Sequence, residues 1–284
     1  MTYLPEKTLP FSVEFIRQFR RRRTLVAYSL MVLLPLLVVA AVKLGGSADE
    51  GTTDGGNFGS GTLSLIGLAT AGAANFTVVM IFFATGFLLT IVFALFAGDT
   101  VASEASWSSL RYLLAAPVPR RRLLGIKLAV AMTLNLFALL ILIMTSYLVG
   151  LLAFGSSPLV SPIGGTFTNG EALFRLAIIG TYVFITLLFV SAVAFYMSVR
   201  TDVPLGAVGT AVILVILFAI LDAISALGDL RNWLPGHYSQ AWTDALGSQI
   251  TWDNMAKGAA SSVILFLILI TFAYLKFERK DIMS

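Results

Sequence analysis

The chain has no cysteine and a single histidine, His237, among its 284 residues. Without cysteine there are no disulfides, no thiolate metal sites and no cysteine nucleophile, and the redox compartment is unreadable. Charge is scarce as well: 12% of residues are Asp, Glu, Lys or Arg, against 58% hydrophobic. No G-x-x-x-x-G-K-[ST] run is present, so the chain has no phosphate-cradling loop of that kind, and neither H-E-x-x-H nor G-x-S-x-G occurs. Asp222 is the one acid well inside an apolar run, which disfavours intramembrane proteolysis by paired aspartates or a metal. No catalytic residue and no metal ligand is assigned.

What the sequence does have is apolar length. At a mean hydropathy of +0.91 the apolar residues cannot all be hidden in one soluble core, so most must face lipid. Crossing a hydrocarbon layer takes about 20 residues of helix. Six runs qualify: about Leu25 to Leu44, Asn75 to Ala97, Ile126 to Leu152, Leu173 to Val199, Leu205 to Leu227, and Gly258 to Lys276. They lack the period-two alternation of barrel strands, so the expected fold is all-α, a single polytopic membrane domain over 1–284. The first run exceeds the 7 to 15 residues of a signal core, so a retained span is expected. Thr62 to Ala74 is apolar but short, and a segment that dips in and returns is expected there.

Orientation follows from the basic residues. With the amino terminus cytoplasmic, 15 of the 19 Lys and Arg fall on the inner side, leaving Lys43, Arg175, Arg231 and Lys257 outside. Both termini are therefore expected in the cytoplasm. The net charge of +4 sits beside apolar runs, where anionic headgroups rather than nucleic acid are the natural partner.

Three segments are patterned. Phe11 to Arg23 follows Pro10 and places Phe11, Phe15, Ile16 and Phe19 on one side with basic residues over much of the rest, which predicts an amphipathic elbow helix within 1–24. The polar island Gly98 to Arg122 puts Trp107, Leu110 and Leu114 on one helical face and Glu104, Ser108 and Arg111 on another, before Pro117 and Pro119 stop the helix ahead of Arg120 to Arg122. Periodicity leaves open whether that apolar face meets a protein groove or the leaflet surface. Between 228 and 257, Trp233, Tyr238, Trp242 and Trp252 mixed with polar residues read as an outer interface belt.

The island's Glu104, Ser109-Leu110-Arg111, Leu113-Leu114, Ala116-Pro117-Val118-Pro119-Arg120, Leu123-Leu124 and Lys127 resembles the loop after the second span in permeases of the ABC type-2 exporter family. The amphipathic start, the six spans, Leu234-Pro235 with Tyr238, and the ending Phe277 to Ile282 extend the resemblance over essentially the whole chain, with Ser108 standing where that family usually has glycine. The resemblance implies a non-enzymatic permease subunit in the cell (plasma) membrane that dimerises, a homodimer being expected before a heterodimer. It implies a separate ABC ATPase carrying ATP and Mg, docked on a coupling loop over 98–124. Glu104, Trp107, Leu110, Arg111, Leu114, Pro117 and Arg120 would be the coupling residues. Short re-entrant helices over 228–257 would form an outer gate with Asp222, Leu234, Pro235 and Tyr238.

Asp222 lies about five residues, or roughly 7 to 8 Å, from the outer end of its expected span. It is expected to pair with Arg175 or to cap the dipping helices. Two other classes use the same features: an ion- or proton-coupled secondary transporter, for which Asp222 is the only midspan acid, and a membrane scaffold for a cytoplasmic partner. Asn135 is expected to hydrogen-bond between helices.

Overall fold

The computed structural model describes residues 10–44, 65–106, 119–162 and 164–279. Six of its helices are long and apolar enough to cross a membrane: Arg22–Leu44, Ala73–Ser106, Arg120–Phe154, Asn169–Arg200, Pro204–Ala223 and Asp253–Glu278, the first to sixth spans. The protein is an all-α, multi-pass membrane protein. The second and fourth spans are its centre, 61% buried over their apolar windows, whereas the others are 11 to 28% buried and turn leucine, isoleucine and phenylalanine outward. In lipid that outward face carries no penalty, so burial falls on the helices with neighbours on all sides.

Each span is set close to its apolar run, but most ends extend beyond it. The second span continues through Gly98 to Ser106, so the start of the polar island prolongs a span instead of opening a separate loop helix. Polar residues are tolerated there because they find partners inside the bundle, as shown below. The fifth span stops at Ala223 rather than Leu227: Ile224 turns to an extended conformation and Gly228 adopts a positive φ of 52° inside the 3-10 turns that follow, at Ser225–Trp233. Asp222 is therefore in the last turn of its helix, not five residues below its end.

Residues 107–118, and with them Trp107, Leu110, Arg111, Leu114 and Pro117, lie outside the described residues. Of the short segment expected to dip, Leu65–Thr70 is a six-residue helix whose Leu68 and Ala69 pack with Phe76, Val79 and Met80 at the start of the second span.

Helix contacts are tightest where side chains are small. A Cβ on Gly98 would lie 3.0 Å from a Val208 methyl, bringing the second and fifth spans together. At Gly150 it would lie 3.1 Å from Ala73 Cα, joining the third span to the second. Asn135, fully buried, donates to Ser191 Oγ at 3.1 Å and so ties the third span to the fourth, the packing role expected of it. Gly86 does not serve close packing: a Cβ there would meet nothing within 4 Å. It sits instead in a π-helical turn, Ala84–Leu88, that interrupts the second span.

Candidate functional site

Two polar assemblies occupy opposite ends of the bundle, with a cavity nearer the second. The first lies where the second span ends and the third begins. The helix Phe11–Phe19 follows Pro10, whose φ of −65° and ψ of 143° deliver the chain in extended form. Its Phe11, Ile16 and Phe19 point outward, while Glu14 and Gln18, one turn apart, are buried against the bundle. The apolar face is thus turned to the surroundings and the acidic face to the protein.

Lys127 is the hub. Its ammonium is fully buried, 2.6 Å from Glu104 Oε1 and 3.4 Å from Glu14 Oε1, and it donates to the Thr100 carbonyl at 3.2 Å. Arg17 pairs with both Glu14, at 2.6 Å, and Glu104. One turn nearer the bundle centre, Asp99 receives Arg21 at 3.0 Å and also Arg23, and Arg21 donates to Ser103 Oγ. Four cations and three carboxylates therefore join the short helix to the first, second and third spans. Each buried charge has a counter-charge, the condition under which burial is tolerable.

Burial pushes the Glu14 carboxyl upward, but Lys127 nearby and hydrogen bonds from Arg17 and Gln18 outweigh it and hold the group below its ordinary value. Arg17 gains from Glu14 and Glu104 more than burial removes.

Glu104, named above among the coupling residues, has 2% of its surface exposed and faces Lys127. Arg120 is exposed and donates to the Glu278 carbonyl at 2.9 Å, while neighbouring Arg121 pairs with the Glu278 carboxylate, binding the third span to the end of the sixth.

The second assembly is the segment between the fifth and sixth spans. Arg175, 3% exposed, gathers it: Nη1 donates to the carbonyls of Ala245 at 2.5 Å and Gly247 at 2.7 Å, with Glu171 Oε1 2.8 Å from Nη2 and the Phe167 ring stacked 3.7 Å away. The 3-10 turns Ala241–Leu246 bury Trp242 fully, against Phe82 of the second span. Phe82 lies nine residues into its helix, about 14 Å at 1.5 Å per residue, so the segment does fold back among the spans.

The expected pairing of Asp222 with Arg175 is not formed. Asp222 Oδ1 lies 2.5 Å from His237 Nδ1 and 3.5 Å from Arg231 Nε. The reason is geometric: Arg175 is committed to Glu171 and the carbonyls at 245 to 248, whereas Asp222 ends the helix from which the His237 segment descends. Tyr182 donates to the Tyr238 carbonyl at 2.6 Å, and Gly258 makes room for both rings, since a Cβ there would run into Tyr182 Oη and Tyr238 Cβ. Leu234 closes a turn by donating to the Arg231 carbonyl at 2.9 Å and is half-buried. Pro235 and Tyr238 line a cavity of about 220 Å³ between this segment and the second, fourth, fifth and sixth spans.

Sequence reasoning passed over Glu14, Arg17, Asp99 and the Arg175 carbonyl clamp. The signals were present but faint: an acid and an amide one turn apart on a basic, aromatic helix, and a lysine at the opening of an apolar run, where a charge asks for a partner or the headgroups. Among the described residues no group of three or more His, Asp or Glu side chains could hold a metal ion.

No curated protein matches this chain. Residues 62–283, more than three quarters of its length, match the family described as a protein of unknown function (DUF2705), and the chain belongs to that family.

Proposed function

We propose that this chain is the membrane permease subunit of an ATP-driven exporter of the ABC type, working as a dimer with separate ATPase chains and with both termini in the cytoplasm. The observation that carries the reading is the buried cluster where the second span ends at Ser106 and the third begins at Arg120. Glu104 and Lys127 fasten the span that enters the loop to the span that leaves it, and Glu14 and Arg17 fasten the amphipathic helix to both. A push on the loop therefore moves three elements as one body. The second span carries that push past the π turn to the cavity under the 225–246 segment, which serves as the outer gate. The amphipathic helix, apolar side outward and basic at its end, acts as the elbow on the inner leaflet.

In this reading Trp107 and Leu110 seat the loop in a groove of the ATPase. The test is whether the adjacent reading frame encodes a Walker-type ATPase and whether that ATPase, co-expressed, co-purifies with this chain. The chain alone hydrolyses no ATP, because it has no phosphate-binding loop. Trp107→Ala and Leu110→Ala still insert, yet weaken docking by several kcal/mol and uncouple transport from hydrolysis. ATPase activity in the isolated chain, or normal coupling in both variants, overturns the proposal.

A proton-coupled secondary transporter is the second reading, favoured by the Asp222–His237 contact, which brings two titratable groups together at one end of the bundle. Transport that collapses with the proton gradient while ATP is present would select it.

A further inference from the structure

We infer that the cavity between the second, fourth, fifth and sixth spans and residues 235–240 binds a small uncharged molecule with an apolar body and at least one hydrogen-bond donor. That the molecule is cargo rests on the transport function proposed above; that it binds rests on the cavity itself.

Size comes first. Apolar cavities of about 150 Å³ already hold a benzene ring, so 220 Å³ admits a molecule of roughly ten non-hydrogen atoms. Charge comes second. None of the lining residues is Asp, Glu, Lys, Arg or His. At this depth an ion without a counter-charge is costly, so carboxylates and ammonium groups are rejected.

Polarity sets the third condition. Four lining hydroxyls already give their protons to helix carbonyls: Thr85 to Ile81 at 2.7 Å, Thr90 to Thr85 at 3.1 Å, Thr186 to Val183 at 3.0 Å and Ser261 to Gly258 at 2.9 Å. A hydroxyl so engaged keeps only acceptor capacity. At these four positions the wall offers a guest lone pairs, which a donor on the guest can meet, while Tyr238, Ser239, Gln240 and Ser262 complete the polar lining. Leu187, Val190 and Val215 supply the apolar remainder. Thr85 and Gly86 of the π turn lie at this wall, and Gly86 leaves open the space a side chain would fill.

The absence of native cysteine allows a direct measurement. Ser261→Cys places a thiol in the cavity, and Ile213→Cys, at a position 65% exposed on the outer face of the fifth span, serves as the lipid-side control. Each purified full-length variant is reacted with a membrane-permeant maleimide, with and without benzyl alcohol, benzoate or benzylammonium. These probes share a ring and differ in charge.

At about 10 mM, above the dissociation constant expected of an eight-atom ligand, benzyl alcohol should slow labelling of S261C about threefold or more and leave I213C unchanged. Benzoate and benzylammonium should protect neither. Gly86→Leu in the S261C background should abolish protection by filling the cavity. Thr90→Val and Thr186→Val keep the shape, remove an acceptor each, and should weaken protection even if the leucine variant fails to fold.

Equal protection by all three probes, equal slowing at I213C, or protection undiminished in both valine variants overturns the assignment. Labelling without nucleotide reads the site alone. Nucleotide-driven transport with S261C unprotected would refute this site and spare the transport reading. Protection in a chain that shows no such transport would do the reverse.

Discussion

Removing the ammonium of Lys127 is the sharpest perturbation the cluster admits. Lys127 is fully buried and sits 2.6 Å from one glutamate and 3.4 Å from another. At an effective dielectric of about 20, these contacts carry gross attractions of about 6 and about 5 kcal/mol, most of which desolvation offsets. The net value is not the relevant quantity for a single substitution. Lys127→Met leaves Glu104 and Glu14 buried and sharing Arg17, and breaking a buried pair from one side costs about 3 to 5 kcal/mol. Neutralising Glu104 as well, in Lys127→Met/Glu104→Gln, returns the Glu14–Arg17 pair to balance. The double variant should therefore be more stable than the sum of the single losses predicts, with a coupling of about 1 to 3 kcal/mol. Denaturant-induced unfolding of the purified chain in detergent, followed by helix content and by release of the amphipathic helix, measures all three variants. A loss below about 1 kcal/mol for Lys127→Met, or strict additivity in the double variant, would refute the idea that this cluster holds the elements together.

The Glu14 carboxyl is held below its ordinary value of 4.5 by Lys127, Arg17 and Gln18 despite its burial, so its contribution is complete above that value and disappears as pH falls through the lower native value. Thermal stability should thus be flat in this group from neutral pH to about 5 and decline below, and Glu14→Gln should be less stable at pH 7 with a shallower acid decline. Gly258→Ala drives a methyl into Tyr182 and Tyr238 and should cost about 1 to 3 kcal/mol while raising protease sensitivity of the 225–246 segment, whereas an unaltered digestion pattern would mean the two tyrosines do not hold it. Asp222→Asn keeps an acceptor for His237 and should retain most transport, while Asp222→Leu loses about 1 to 3 kcal/mol of hydrogen bonding and most activity. Equal inactivity of the two, together with sensitivity to an uncoupler, would favour proton coupling.

The spans were readable because lipid imposes a length and a composition that little else in the chain meets. Their ends were less so, since polarity alone does not say whether a side chain meets water or a buried partner. Glu104 belongs to a polar stretch, which alone names no partner for it. Its counter-charge, Lys127, lies 23 residues on, and no local spacing links them. Asp222 was matched to Arg175 by depth along the membrane, yet its partner His237 comes from the descending segment fifteen residues later. The cavity left no trace in the pattern: its threonines and serines look like ordinary helix hydroxyls, and the π turn that carries Thr85 and Gly86 depends on backbone register.

The charged cluster also has a bearing on how the chain is made. Arg17 precedes Glu104 by 87 residues, Arg21 precedes Asp99 by 78, and Glu14 precedes Lys127 by 113. At translation rates of about 5 to 20 residues per second, the helix Phe11–Phe19 waits roughly 6 to 20 seconds between its own synthesis and the arrival of its last partner. Until Glu104 is made Arg17 has no counter-charge from the later spans, and until Lys127 is made Glu14 has none, so the leaflet surface is what remains to hold the helix. Docking of the amphipathic helix is therefore completed late in biogenesis, and a pause in synthesis before Lys127 would leave Glu14 without its lysine.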